Sequence, residues 1–342
     1  MGRMIVPFID RKKELELLER ITEYRPDALY VVYGPLNSGK SELMREFLKR
    51  KMRKGEKTYY LNFKLKSVLT YEDVVEALME ELKSKEIMEM VSNIMREGEL
   101  VLTKWARLVG MSGAFNFWVK ELRKHSNGNI PTVVFDSIEK IKHINGKNGT
   151  VFYELLNFAI GISKEEHIAH AFVVSSNSVL IDAIHTNPDL NAYVEYIKVD
   201  DLAREDVVEF LRHYGFNDEE IEKIWETFGG KPLLLIQCIK YKDELESYLK
   251  KAKTLRQDQV FQTLNLLRLR DETFFKEVME LLEGFSVRDY IIYSQIDDVV
   301  KWLAENNLIF VDPLDRKLRP HGRLDLLAIR YSLEQFERNG LK

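Results

Sequence analysis

The chain of 342 residues has a single cysteine, Cys238, so no disulfide can close within it. That scarcity, with a start at Met1-Gly2-Arg3-Met4 that lacks an apolar leader, points to a reducing, cytoplasmic setting. Runs of 18 or more apolar residues are missing as well, which argues against a spanning helix and any membrane partner. No excess of one charge exists either: 51 Lys and Arg stand against 55 Asp and Glu, for a net charge of −4. There is thus no global pull toward nucleic acid, and any such contact needs a local patch. An Asn-Lys-x-Asp element for reading guanine is also lacking, since Gly146-Lys147-Asn148 does not supply it.

What is present is enough apolar material, 45 % of residues, to build a core and two or three domains. Charged residues reach 31 %, dominated by Lys and Glu, a balance that suits a thermophile.

The chain is organised around Ala28 to Met52. An apolar run, Ala28-Leu29-Tyr30-Val31-Val32-Tyr33, leads into Gly34-Pro35-Leu36-Asn37-Ser38-Gly39-Lys40-Ser41, and Leu43, Met44, Phe47 and Leu48 follow at helical spacing. The order is strand, glycine-rich loop, helix, with G-x-x-x-x-G-K-S at the junction. Two glycines let such a loop curl so that successive N–H groups face inward at a helix N-terminus, where they cradle phosphate oxygens. Lys40 can then reach the β- and γ-phosphates and Ser41 can ligate Mg²⁺; Glu42 follows in the first helical turn.

Before this stretch, Leu15, Leu18 and Ile21 share a helical face, with Asp10 placed as N-cap. After it, Lys57 to Phe63 reads as a second strand, and the short strand-helix-strand connection implies a parallel sheet. Tyr71 to Leu82 and Ile87 to Leu122 have helical period, with a soft spot at Gly110 to Gly113; the aromatics Trp105, Phe115, Phe117 and Trp118 read as helix packing before a binding platform. Pro131-Thr132-Val133-Val134-Phe135-Asp136 is an apolar strand ending in a carboxylate, the second half of a phosphate-loop site, where Asp136 helps hold Mg²⁺. Ser137 follows where many ATP-hydrolysing proteins have Glu. The next carboxylate, Glu139, either polarises the attacking water or is a solvated charge paired with Lys140 or Lys142. The strand Ala169 to Ser176 ends in Ser176 and Asn177, which are either phosphate sensors or turn and cap residues of the next helix. Glu195 to Val199 closes the sheet.

Beyond Asp200 the pattern turns helical: Arg204 to Tyr214, Asp218 to Phe228, then Gly229-Gly230-Lys231-Pro232 and Leu233 to Ile239. Two glycines and Lys-Pro mark a stop and restart with Pro232 in the first turn, and a helix opening on Lys231 can also face a nucleotide. From Leu255 the sequence suggests three short helices, Glu272 to Leu282, Val287 to Tyr293 and Ile296 to Glu305, and a hairpin from Leu308 to Pro320, a winged-helix pattern. The helix in the recognition position carries Asp297, Asp298 and Glu305 against Lys301, which opposes a phosphate surface, while the hairpin carries Arg316, Lys317, Arg319, His321 and Arg323. A protein partner therefore fits this unit better than a DNA groove, with DNA contact through the hairpin as the alternative.

Taken together, Phe8-Ile9-Asp10-Arg11-Lys12-Lys13-Glu14-Leu15, the phosphate loop, Val134-Phe135-Asp136, Val174-Ser175-Ser176 and Gly230-Lys231-Pro232 resemble the archaeal P-loop ATPases of the STAND group, relatives of the AAA+ and signalling ATPases. The resemblance implies an α/β fold: a P-loop NTPase core with a parallel sheet over 1–200, a helical lid over 201–254 and a C-terminal winged helix over 255–342. It further implies ATP or ADP with Mg²⁺, Arg11 near the base or ribose, and Pro232 reaching the nucleotide from the lid. Lys40, Asp136 and Glu139 are the candidate catalytic residues, and Gly34 to Glu42, Arg11, Asn177 and Pro232 the candidate nucleotide contacts. Ser137 departs from the family pattern, so slow turnover and a role as nucleotide-dependent switch or scaffold are expected. A DNA-associated ATPase is the alternative.

Overall fold

A computed structural model describes residues 11–66, 68–82, 100–126, 128–146 and 149–340. Phe8 to Asp10 of the N-terminal box, the expected helix from Ile87 up to residue 99, Lys147, Asn148 and the Trp105 side chain lie outside what is described.

Five strands form one parallel sheet: β1 (Leu29–Tyr33), β2 (Thr58–Asn62), β3 (Thr132–Asp136), β6 (His170–Ser175) and β7 (Val194–Lys198), in the order β2-β3-β6-β1-β7. The short β4 (Asn145–Gly146) and β5 (Gly149–Thr150) pair as a separate hairpin. Central strands read as unbroken apolar runs because helices cover both faces. Alternation sorts their side chains: Val32, Val134, Phe172 and Val174 pack on Leu15 and Leu18 of α1 (Lys12–Ile21) and on Leu43, Met44 and Phe47 of α2 (Lys40–Arg53). Val31, Tyr33, Val133, Phe135 and Val173 face the other way, toward α3 (Tyr71–Leu82), α4 (Leu100–His125), α5 (Val151–Ile160) and α6 (Ser178–Thr186). The soft spot in α4 is real: Gly110 breaks the helix with φ 60° and ψ −178°. Trp118 is fully buried and donates to the Leu78 carbonyl at 2.9 Å, and Phe115 stacks on Phe158 at 4.2 Å, so this part of the aromatic cluster is packing.

The sheet order matters in one respect. β6 lies between β1 and β3, so Asp136 sits one strand away from the phosphate-loop strand, in register with Val174, while Ser175 is in register with Tyr33. The end of β6 therefore stands between the loop and the carboxylate.

After a four-residue α7 (Pro188–Asn191), helices α8 (Arg204–His213), α9 (Asp218–Phe228) and α10 (Pro232–Lys240) build a second apolar cluster around Leu211, Ile224, Phe228 and Leu235. α9 opens on a complete capping box between Asn217 and Glu220. The expected boundary at 254/255 falls inside one continuous helix, α11 (Leu245–Arg270). Its Leu245 and Leu249 belong to this second cluster, whereas Val260, Leu264 and Leu267 belong to the C-terminal one.

The C-terminal unit adds α12 (Glu272–Glu283), α13 (Asp298–Glu305) and α14 (Arg323–Arg338) to a three-stranded antiparallel sheet, β8 (Ile291–Ile292), β10 (Lys317–Pro320) and β9 (Ile309–Asp312), in that order. The helix expected over Val287 to Tyr293 is not formed; Ile291 packs inward while Ile292 is 62 % exposed, the two-residue alternation of a strand. This unit docks on the core. Phe310 is fully buried and stacks on Tyr33 at 6.4 Å, and Tyr33 donates to Asp312 at 3.2 Å. Lys198 of β7 pairs with both Asp312, at 2.5 Å, and Asp315, at 2.9 Å. Among the described residues no helix is long and apolar enough to cross a membrane.

Candidate functional site

The phosphate loop joins the end of β1 to the start of α2, and its shape depends on glycine where the chain must turn. At Gly34 (φ 154°) a Cβ would lie 2.1 Å from the Val199 carbonyl oxygen, so no side chain fits. Asn37 (φ 61°) and Gly39 (φ 93°) adopt left-handed backbone, the turn that aims successive N–H groups into one concavity. Ser38 is fully buried within the loop.

Lys40 folds back under the loop, donating to the carbonyls of Gly34 (3.0 Å) and Pro35 (2.8 Å) and to the Ser38 hydroxyl (3.3 Å). Burial, and then the nearby Lys231 ammonium, push its pKa down to about 7, against the opposing pull of Glu139, Asp136 and Asp201. Arg11, also buried, holds the carbonyls of Ser38 and Asp200 and pairs with Glu14 at 2.7 Å. It thereby ties the loop to the end of the sheet. Glu42, by contrast, turns its side chain outward into an exposed ion pair with Arg45.

On the far side of β6, Asp136 is 2 % exposed. Its Oδ2 accepts from the Tyr60 hydroxyl and from Asn62 (3.2 Å), and its Oδ1 from the Ser137 hydroxyl (3.2 Å). Tyr60 and Asn62 alternate on β2, so one face of the neighbouring strand aims the carboxylate. Ser137 takes left-handed backbone (φ 62°), turning the chain into a short 3₁₀ segment that carries Glu139. Glu139 accepts from Ser175 at 2.8 Å. The pairing with Lys142 considered from sequence does not form, because Lys142 lies 3.7 Å from Glu305. Asn177 caps α6, its Oδ1 accepting from Leu180 N–H at 2.9 Å, while its own N–H donates to Ser175 Oγ at 3.0 Å. The cap reading of Asn177 thus holds for the oxygen, and the NH₂ is the end that can donate.

The second apolar cluster reaches the loop through Pro232 in the first turn of α10: its Cγ lies 3.8 Å from where a Cβ on Gly39 would be. The residue before it, Lys231, donates to the Leu36 carbonyl (3.0 Å) and the His321 carbonyl (2.5 Å) and pairs with Asp201 (2.7 Å). The C-terminal unit enters through His321, whose Nδ1 accepts from the Leu36 N–H at 3.1 Å. Burial, with Lys231 and Lys40 nearby, holds this imidazole well below its ordinary pKa, so it is neutral and able to accept. Its other nitrogen, Nε2, is buried with no partner among the described residues.

Ser41 and Asp136 offer oxygen donors of the kind a Mg²⁺ ion takes when phosphate oxygens and water complete its shell. Among the described residues no group of three or more His, Cys, Asp and Glu side chains could hold a metal ion. The donor chemistry suits the ion.

Sequence reading missed Tyr60, Asn62 and His321. The first two had a usable signal: polar residues at the C-terminal end of a strand in a parallel sheet, where ligands gather. His321 had none, because it meets Leu36 across 285 residues of chain.

Comparison with known proteins agrees with this geometry. Residues 8–238 match a family described as an ATPase domain predominantly from Archaea, and residues 235–333 match the C-terminal domain of uncharacterized MJ1010-like ATP-binding proteins. An uncharacterized ATP-binding protein of Pyrococcus abyssi is 34 % identical over 96 % of this chain and 100 % of its own length. Another, from Pyrococcus horikoshii, is 35 % identical over 94 % of this chain and 98 % of its own. Among solved structures, the Walker-type ATPase paby2304 of Pyrococcus abyssi superposes with a TM-score of 0.66 at 17 % identity, covering 94 % of this chain and 96 % of that one, a likeness of fold.

Proposed function

The chain belongs to the family of ATPase domains found predominantly in Archaea, and we propose that within it the protein is a Mg²⁺-ATP-dependent switch of the STAND type with slow hydrolysis. In this reading the amides of Gly34 to Ser41 cradle the phosphates, Lys40 leaves the loop carbonyls for phosphate oxygens, and Ser41 and Asp136 hold Mg²⁺. The ion supplies charge neutralisation at the phosphates. Arg11 and Pro232 flank the nucleotide from core and lid, Glu139 orients the attacking water, and Asn177 presents its amide toward the phosphate end. Turnover is slow because Ser137 occupies the position next to Asp136 and Glu139 is reached only through the following turn, bonded to Ser175. The working units are core (1–200), lid (201–254) and a winged-helix C-terminal unit (255–342) joined through α11.

One observation carries the switch: the Leu36 N–H, a donor of the phosphate loop, is bonded to His321 of the C-terminal unit. Phosphate and imidazole compete for the same proton, so nucleotide occupancy and docking of that unit are linked. The unit so released is the surface offered to a protein partner. DNA contact through the hairpin has less support, because Arg319 is paired with Asp200 (2.6 Å) and lies over the Phe310 ring, and Lys317 lies over Tyr290.

Calorimetry with ATP, ADP and GTP on the wild type, Lys40→Ala and His321→Ala tests the reading, with a turnover measurement on the same protein. The expected results are binding of adenine nucleotides with Mg²⁺, loss in Lys40→Ala, and turnover below about 1 s⁻¹. ATP should bind roughly fivefold more tightly to His321→Ala, the worth of one competing hydrogen bond. Unchanged or weaker ATP binding by His321→Ala would dismiss the competition, and motor-like turnover would dismiss the switch.

A further inference from the structure

Two buried ammonium groups converge on the phosphate loop. Lys40 holds the carbonyls of Gly34 and Pro35, and Lys231, 5 % exposed, holds the next one, Leu36. The loop presents three consecutive carbonyls to two cations that come from different units of the protein. Lys231 is set there by its neighbours: a Cβ on Gly230 would lie 1.9 Å from the Leu202 carbonyl oxygen, which fixes the backbone approach. A Cβ on Gly322 would lie 2.8 Å from Lys231 Cε, so glycine there leaves room for the stem.

Such an arrangement is costly unless an anion completes it. A buried ammonium needs a counter-charge, and a second one close by raises the cost. Asp201 pairs with Lys231 at 2.7 Å, and among the described residues Lys40 donates only to the neutral oxygens of the loop named above. The buried guanidinium of Arg11 adds a third cation at the Ser38 carbonyl, paired with Glu14 at 2.7 Å. Asp201 and Glu14 thus each answer one cation, Asp136 and Glu139 act on Lys40 only from a distance, and among the described residues the Lys40 ammonium touches no carboxylate, at a loop whose amides also point to an anion.

We infer that Lys231 is a second phosphate-binding residue of this site, delivered by the lid, and that it sets the preference for a nucleoside triphosphate over the diphosphate. The inference rests on the nucleotide reading of the loop given above. On binding, the Lys231 ammonium exchanges the Leu36 and His321 carbonyls for phosphate oxygens and keeps Asp201; no covalent bond changes. Losing the His321 carbonyl removes one of the ties between the lid and the C-terminal unit, so the same contact that reads the phosphate number also loosens that unit.

Calorimetric titration of ATP and ADP with Mg²⁺ into the full chain carrying Lys231→Gln, Lys231→Arg or Lys40→Ala decides the matter. Lys231→Gln should keep ADP affinity within about twofold and weaken ATP about tenfold, the worth of a charged hydrogen bond to phosphate, with Lys231→Arg restoring most of the preference. A wild-type ratio of ATP to ADP affinity in Lys231→Gln overturns the inference. Failure of the wild type itself to bind, or full binding by Lys40→Ala, overturns instead the nucleotide reading on which it depends. Should Lys231→Gln not fold, ¹⁵N-lysine spectra of the wild type serve: ATP should shift two buried ammonium resonances and ADP one, and one shifted resonance with both nucleotides would sink the proposal.

Discussion

His170 lies at the first residue of β6, at the end of the sheet opposite the phosphate loop, and it is 1 % exposed. Neither ring nitrogen has a hydrogen-bond partner among the described residues. Burial, followed by the nearby Lys51 ammonium, lowers its pKa from 6.5 to about 4, and Asp27 only partly opposes the shift. The unfolded chain therefore binds a proton that the native one refuses. Stability contributed at neutral pH is lost as pH falls from about 6.5 toward 4, because the neutral ring is the form the fold accepts. Linkage over that interval gives a loss of about 2 kcal/mol at pH 5 and about 3 kcal/mol at pH 4. Replacing the ring by His170→Phe removes the titration while keeping a flat apolar side chain on a buried strand. Urea unfolding of both proteins followed by circular dichroism at pH 7.5, 6 and 5 isolates the effect, since the carboxylates common to both cancel in the difference. The variant should gain on the wild type by about 2 kcal/mol between pH 7.5 and pH 5. A difference that stays constant with pH would refute the reasoning, whatever its size.

Two further outcomes are expected, besides those for His321 and Lys231. Glu139→Gln should lower turnover by about a hundredfold or more if the carboxylate serves as base, with ATP affinity unchanged by calorimetry; equal turnover would remove Glu139 from the chemistry. Tyr60→Phe deletes the hydroxyl bonded to Asp136 Oδ2, so titration of Mg²⁺ into the ATP complex should show weaker metal affinity, with ATP binding in excess chelator as in the wild type.

Much of this architecture could be read from the chain because its strands are short apolar runs with covered faces, and because the phosphate loop announces the junction of β1 and α2. The Gly229 to Pro232 stop and restart likewise located the head of α10. Nothing local in Ala169 to Ser176 says that β6, beside β1, will also border β3, yet that second pairing brings Ser175 to Glu139. The stretch Val287 to Tyr293 misled because its apolar residues suit a helical face as well as a two-residue period, and pairing with β10 decided between them. The contributions to the site from beyond Asp200 were least legible. His321 carries no pattern of its own, Lys231 was marked only by the stop and restart around it, and their meaning comes from meeting the Leu36 peptide from two directions.

The helix α11 contains 26 residues, about 39 Å of rod at helical rise, with one end rooted among the apolar side chains of α8 to α10 and the other among those of the C-terminal unit. Such a beam has no elbow. Tilting one end by about 10° would swing the other through roughly 7 Å. A small rotation at one end is thus geared up mechanically at the other, and the leverage comes from the length of a single uninterrupted helix.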